Sequence, residues 1–350
     1  MMSRQKKLQF YQSVSEEAAG NITKTVGNWT NFLDSAAKMY KYPFPDQLLI
    51  HTQRPDATAC APIEMWNDSF NRWVKRGTKG IALIDDTGNY PRLKYVFDVS
   101  DTGGSSHNSR PVHLWEMKQE HNEIVTEALA NVHGEMGNTL PESFRNIAYQ
   151  LACKYYSDNF REIRFCAEGS ILDEHDDDNL RVAIEDALTN SIAYTLMSRC
   201  GFNTDAYFVD EDFNFINDFD TPDMVYALGT AANELSAQVL RDIESAIKKY
   251  EREQTVERSQ SNEHEADIQP SRGLPVAGHQ VERTAERTDS TIGAVRDNEE
   301  SISERTQEDD VQLNAVERDS VPTSARNGRI GELSVGGNDK TSDGEEQSAR

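Results

Sequence analysis

Every phenylalanine, tryptophan and tyrosine of this 350-residue chain lies at or before Tyr250. Large side chains of this kind supply much of the apolar area a core buries, so the boundary limits where the chain can fold. Residues 251–350 carry 23 Asp and Glu against 12 Lys and Arg, and much of the rest is Ser, Thr, Gln, Asn and Gly. Such a segment cannot bury enough apolar surface to offset its ordering entropy, and it reads as a disordered acidic tail. The 250 residues before it suffice for one large or two small domains.

Hydrophobic spacing within those residues is mostly helical. It predicts helices over 5–19 and 22–40, the second carrying Ile22, Val26, Trp29, Leu33, Ala36 and Tyr40 on one face. Pro43 and Pro45 end it, and Pro45 suits the first turn of a short helix through Gln53. A further helix is expected over 62–74, then a basic turn at 75–80 and a strand at 81–85. The Asp86-Thr87-Gly88-Asn89 turn leads into a returning strand whose Leu93, Tyr95, Phe97 and Val99 alternate on one face. Residues 100–112 read as a loop, and helices are expected over 114–134, 141–159, 179–200 and 222–250. Asp178 or Asn179 would cap the third of these, and Thr221-Pro222 would open the fourth. The fold class is therefore α+β, mainly helical, with a small antiparallel hairpin or sheet around 81–99. Its parts would be an α+β module at 1–102, a helical segment at 113–250 packed on or following it, and the tail at 251–350.

The formal net charge is -24, which repels nucleic acid unless one region reverses the field. Residues 36–94 do so, with nine Lys and Arg against six Asp and Glu. Lys75, Arg76 and Lys79 sit in a turn with Gly77 and Gly80, where cations beside backbone N–H groups suit oxyanions. Gln47, His51 and Arg54 share one face of the short helix, opposite Leu48 and Leu49. They are ordinary exposed polar residues singly; together with the turn they would line a groove for a phosphate backbone. Trp66, Phe70 and Trp73 recur at i, i+4 and i+7, normally a core stripe. Arg72 adds a cation there. Asn67 and Asn71 flank the stripe, either within reach of phosphates and bases or as plain surface groups. Arg92 and Lys94 alternate with Tyr95 and Phe97, so the charges should face solvent and the rings the core. A ring exposed beside those cations would instead be a stacking platform for single-stranded bases.

Signatures of catalysis are missing from the sequence: there is no HExxH, GxxxxGK[ST], GxSxG or GxGxxG. His133-Gly134-Glu135 has a zinc-deaminase spacing without the PCxxC that would complete it. Asp210-x-Asp212-x-Asn214 starts like a calcium loop, but Phe215 takes the glycine position and Thr221 that of the bidentate Glu. No metal, cofactor or enzymatic activity is expected. Cys60, Cys153, Cys166 and Cys200 are widely spaced, as suits a reducing cytosol. Neither a signal peptide nor a run of about 20 apolar residues is visible, so the expected location is cytoplasmic.

Residues 36–102 resemble the N-terminal domain of ArdC-type antirestriction proteins, which are linked to conjugative plasmids. The resemblance rests on Asp46-Gln47-Leu48-Leu49-Ile50, the Trp66 helix, Val74-Lys75-Arg76-Gly77-Thr78-Lys79-Gly80 and Tyr95-Val96-Phe97-Asp98-Val99. DQLLIHTQRPDATACAPIEMWN and RWVKRGTKGIALID also resemble the opening of large helicase- and methylase-like proteins of Firmicutes integrative and conjugative elements. The resemblance implies binding of single-stranded DNA, with Lys75, Arg76 and Lys79 in the family's basic turn. The family's metallopeptidase-like domain has no counterpart here, since HExxH is absent. The expectation is a non-enzymatic DNA-binding module of a mobile genetic element. The alternative is a protein-interaction adaptor that uses the helical segment or the acidic tail.

Overall fold

The computed structural model describes residues 3–105, 108–134 and 136–266. Glu135 and residues 267–350, most of the expected tail, lie outside the described residues. The fold is α+β and mainly helical. Ser3 and Thr25 cap the first two helices, α1 (Arg4–Ile22) and α2 (Val26–Lys38), each accepting a backbone N–H three residues on. Both helices expected over 5–19 and 22–40 are thus present, with the break between them at 23–25. Thr23 makes the break, donating its buried hydroxyl to the Phe219 carbonyl at 2.8 Å.

Pro43 and Pro45 open α3 (Phe44–Gln53), whose Phe44, Asp46, Gln47, Leu48, Leu49 and Ile50 are all buried. Two cores explain this all-round burial. On one side Phe44 and Leu48 join the large helical core, where the Phe44 ring meets Phe32 at 5.5 Å and Tyr226 at 5.3 Å, both edge-on. On the other, Leu49 and Ile50 pack with Met39, Ala57, Ile81, Leu83 and Val96 under the sheet. Each such side chain contributes about 1.5–3 kcal/mol on burial.

The large core is built on α5 (Asn122–His133), α6 (Leu140–Cys166), α7 (Asp177–Arg199) and α8 (Pro222–Ala266). Asp176, rather than Asp178 or Asn179, caps α7 by accepting the Asn179 N–H at 2.8 Å. The 114–134 helix starts only at Asn122 because Trp115 is drawn inward, its indole donating to the Tyr40 hydroxyl with the Arg199 guanidinium 3.6 Å from the ring. The helix expected to end at 250 continues to Ala266, so the first residues assigned to the tail are helical. The acidic loop 210–220 is pinned by buried Phe213, Ile216 and Phe219. Among the described residues no helix is long and apolar enough to cross a membrane.

The helix expected over 62–74 breaks in two. Only α4 (Ile63–Asp68) is helical, and Asn71 takes a left-handed φ of 48°. Residues Arg72–Val74 then form a strand, β2. A three-stranded antiparallel sheet has β4 (Arg92–Asp98) between β1 (Cys60–Ala61) and β3 (Ile81–Asp85). Its hairpin register runs from Ile81 opposite Val96 to Asp85 opposite Arg92. The Gln53 side chain donates to the Ala82 carbonyl (2.8 Å) and accepts its N–H (3.0 Å), occupying backbone groups on the outer edge of β3. In place of the expected 100–112 loop, β5 (Thr102–Gly104) pairs with β2 as a separate antiparallel ribbon.

Candidate nucleic-acid interface

Residues 72–80 run along the ribbon, through the basic turn, and into the sheet. The Thr78 N–H donates to the Lys75 carbonyl at 3.2 Å, and Gly77 sits inside that turn at a φ of +90°. A side chain at Gly77 would be strained there. Gly80 lies against β4, where an added Cβ would come within 3.0 Å of the Phe97 ring and 3.3 Å of the Tyr95 Cβ. The turn is therefore fixed at both ends, by β2 and by the hairpin.

The cations of this region divide by what they touch. Arg72 donates across the ribbon to the Thr102 hydroxyl (2.8 Å) and carbonyl (3.2 Å). Arg54 pairs with Asp101, reaches the Ser100 hydroxyl at 2.8 Å and lies 3.5 Å from Asp56. Lys75 donates from Nζ to the Ser100 carbonyl at 2.8 Å and remains exposed. These three thus converge on the 100–102 segment and serve the fold. Arg92 is paired with Asp85 at 2.7 Å while 73% of its side chain stays exposed. Thr87 and Arg92 hold the Asp85 carboxyl down at about 2. Arg76 and Lys79 are exposed and make no hydrogen bond or ion pair among the described residues.

Other predicted residues are placed elsewhere. Gln47 is buried, donating from Nε2 to the Met39 carbonyl (3.0 Å) and to Asn233 of α8 (2.6 Å), so it cannot line an external groove. Its helix is covered on both sides, which spacing relative to Leu48 and Leu49 did not convey. The Nδ1 of His51 meets the Ser35 hydroxyl at 2.8 Å, and burial lowers the pKa of this histidine. His51 lines an open groove of about 570 Å³ with Asn28, Asn31 and Lys38, which includes no residue of the basic turn. Asn67 is exposed on α4, and Asn71 donates to the Asn108 carbonyl at 2.8 Å.

The hairpin keeps both cations exposed, as expected, 73% of the Arg92 side chain and 45% of that of Lys94, but the rings do not form its buried face. Val96 and Asp98 are the buried positions of β4, and Lys94 on their face pairs with buried Asp46 of α3 at 2.9 Å. Burial pushes the Asp46 carboxyl up and Lys94 opposes that push. The ammonium thus pairs with an acid on the core side while 45% of the Lys94 side chain stays exposed. Tyr95 is consequently left 43% exposed on the outer face, while Phe97 is partly covered.

The four tryptophans behave differently from one another. Trp29 donates to Ser191 (2.9 Å), Trp66 to the Phe97 carbonyl (2.9 Å) and Trp115 to Tyr40 (3.1 Å), and all three are buried. Trp73 is 53% exposed, and no hydrogen bond involves its indole N–H among the described residues. It faces outward because it is the central residue of β2, flanked by half-buried Arg72 and Val74. Helical reading put it on the stripe of Trp66. The signal that separates the two was the Gly103-Gly104 pair, whose partner strand makes the segment a ribbon.

Among the described residues no group of three or more His, Cys, Asp or Glu side chains is placed to hold a metal ion. All four cysteines are free thiols, and burial raises each of them, Cys60 and Cys200 to about 12. None is an activated thiolate. No protein-family model matches the chain, and neither a curated protein nor a solved structure does.

Proposed function

We propose that this chain is a non-enzymatic, single-stranded-DNA-binding module of a conjugative or related mobile genetic element, acting in the cytoplasm. The observation that carries the reading is the exposed turn on which Arg76 and Lys79 have no partner among the described residues, with Lys75 beside them. In a chain of formal net charge -24, unpaired cations on a rigid turn are a local invitation to an anion. Tyr95 and Trp73, exposed on the adjoining strands, favour unpaired bases over a duplex, whose base faces are hidden. The resemblance of residues 36–102 to ArdC-type N-terminal domains points the same way.

Exchanging both Arg76 and Lys79 for alanine tests the placement. Anisotropy titrations of a labelled single strand at several salt concentrations should show weaker binding. Two lost phosphate contacts should flatten the slope of log affinity against log salt by roughly 1.4, at about 0.7 per phosphate. Unchanged affinity and slope would refute this site.

An adaptor reading has one observation of its own: Tyr149, Phe165 and Val182 are exposed on α6 and α7. It becomes the better account if the full chain binds no nucleic acid at low salt.

A further inference from the structure

We infer that the open face of the β2–β5 ribbon is a base-stacking site, with Trp73 as the platform and Gly103 as the vacant place beside it. The inference rests on the single-stranded-DNA reading and adds what part of the nucleic acid is held. In an antiparallel pair, residues directly opposite each other point to the same face. Trp73 is opposite Gly103. The position that would adjoin the indole therefore carries no side chain, and an added Cβ at Gly103 would find nothing within 4 Å among the described residues. Arg72 and Val74 are directed to the other face, where Arg72 is bonded to Thr102. Among the described residues the ring thus stands beside an open place on a two-stranded ribbon.

The same chain supplies the comparison that makes this exposure informative. Trp29, Trp66 and Trp115 are buried with their indole N–H groups satisfied internally. Trp73 has neither cover nor an N–H partner among the described residues. Three residues further along the chain begin the cations without a partner among the described residues, Arg76 and Lys79. An exposed ring followed within one turn by exposed cations suits a polymer that alternates planar bases with phosphates. A duplex offers the phosphates alone, and an abasic strand likewise. The cations would then set the salt dependence, and Trp73 would set the discrimination between a strand with bases and one without.

The experiment measures binding of the full chain to oligo-dT and to an abasic oligonucleotide of equal length and charge, across a range of salt. It uses the wild type, W73A, G103V and the R76A/K79A double variant. Gly103 does not occupy the left-handed region, and valine suits a strand, so G103V fills the vacant place while leaving Trp73 and the cations intact. The wild type should prefer oligo-dT by about tenfold, equivalent to ~1.4 kcal/mol. W73A and G103V should each lose that preference and keep the wild-type salt slope. R76A/K79A should keep the preference and lose slope. Equal wild-type affinity for the two strands, or a preference that survives in both W73A and G103V, would overturn the stacking site while leaving single-strand binding intact. Binding to neither strand would overturn the single-strand reading, and the stacking site with it.

Discussion

The helical core and the β2–β5 ribbon treat the same residue types in opposite ways. Around Glu244 of α8, the Tyr40 hydroxyl, Lys41 (3.0 Å) and Lys248 (3.2 Å) all converge on one buried carboxylate. Burial alone would raise its pKa, but Lys41, Tyr40 and Lys248 together hold it below the usual carboxylate range. Trp115 and Arg199 complete that network, so charge and aromatic surface are both spent internally. On the ribbon and its following turn, Trp73, Arg76 and Lys79 have no such partners among the described residues. The contrast separates a scaffold, whose polar groups are committed to one another, from a surface whose groups remain open to a ligand.

Trp66 and Trp73 offer the sharpest way to break this contrast. Truncating Trp66 to alanine should cost about 3–5 kcal/mol, because it removes a buried ring together with its hydrogen bond to the Phe97 carbonyl. Truncating Trp73 should change stability by no more than ~0.5 kcal/mol. Denaturant unfolding of both variants measures the difference; similar losses would mean that Trp73 is a core residue after all. Glu244→Ala probes the scaffold side and should cost about 2–3 kcal/mol by leaving the buried Tyr40 hydroxyl and the half-buried Lys41 without their partner. A loss below ~1 kcal/mol would show the network to be dispensable.

Smaller effects refine the picture. Gly229 of α8 packs under Phe44, whose ring an added Cβ would strike. Gly229→Ala should therefore destabilise by about 1–3 kcal/mol through overpacking, despite alanine's better helix propensity. A stabilised variant would mean the α3–α8 contact is loose. The smallest effect belongs to the exposed hairpin. Asp85 is held at about 2, below its ordinary value, by Thr87 and Arg92. A lowered folded pKa contributes stability that is present above pH ~4 and is lost as pH falls through about 2. Because Arg92 is largely exposed, the contribution should be ~1 kcal/mol or less. Stability profiles of wild type and Asp85→Asn should converge at the acid end, and parallel profiles would remove Asp85 from the account.

Much of the scaffold was legible in the sequence. Proline at 45 and 222, the turn at 86–89 and the spacing of apolar residues located α3, α8 and the hairpin. Helix ends were less exact: the break expected at 20–21 falls at 23–25, where Thr23 bonds to Phe219, a residue far along the chain. The site was legible as a basic turn but not as a surface. Spacing placed Gln47 outside, although α3 has a core on either side. It left Lys94 without a partner, although buried Asp46 of α3 pairs with its exposed side chain. It put Trp66 and Trp73 on one helix, although Asn71 adopts a left-handed conformation between them and residues 102–104 supply a strand partner. Each difference comes from a partner distant in sequence, which periodicity within a window cannot register.

Fluorescence anisotropy of the full chain with a labelled single-stranded oligonucleotide, titrated at several salt concentrations beside a duplex of the same sequence, asks whether the protein binds single strands at all. Binding should be salt-sensitive and should favour the single strand. Absence of binding at low salt, or preference for the duplex, would contradict the single-strand reading.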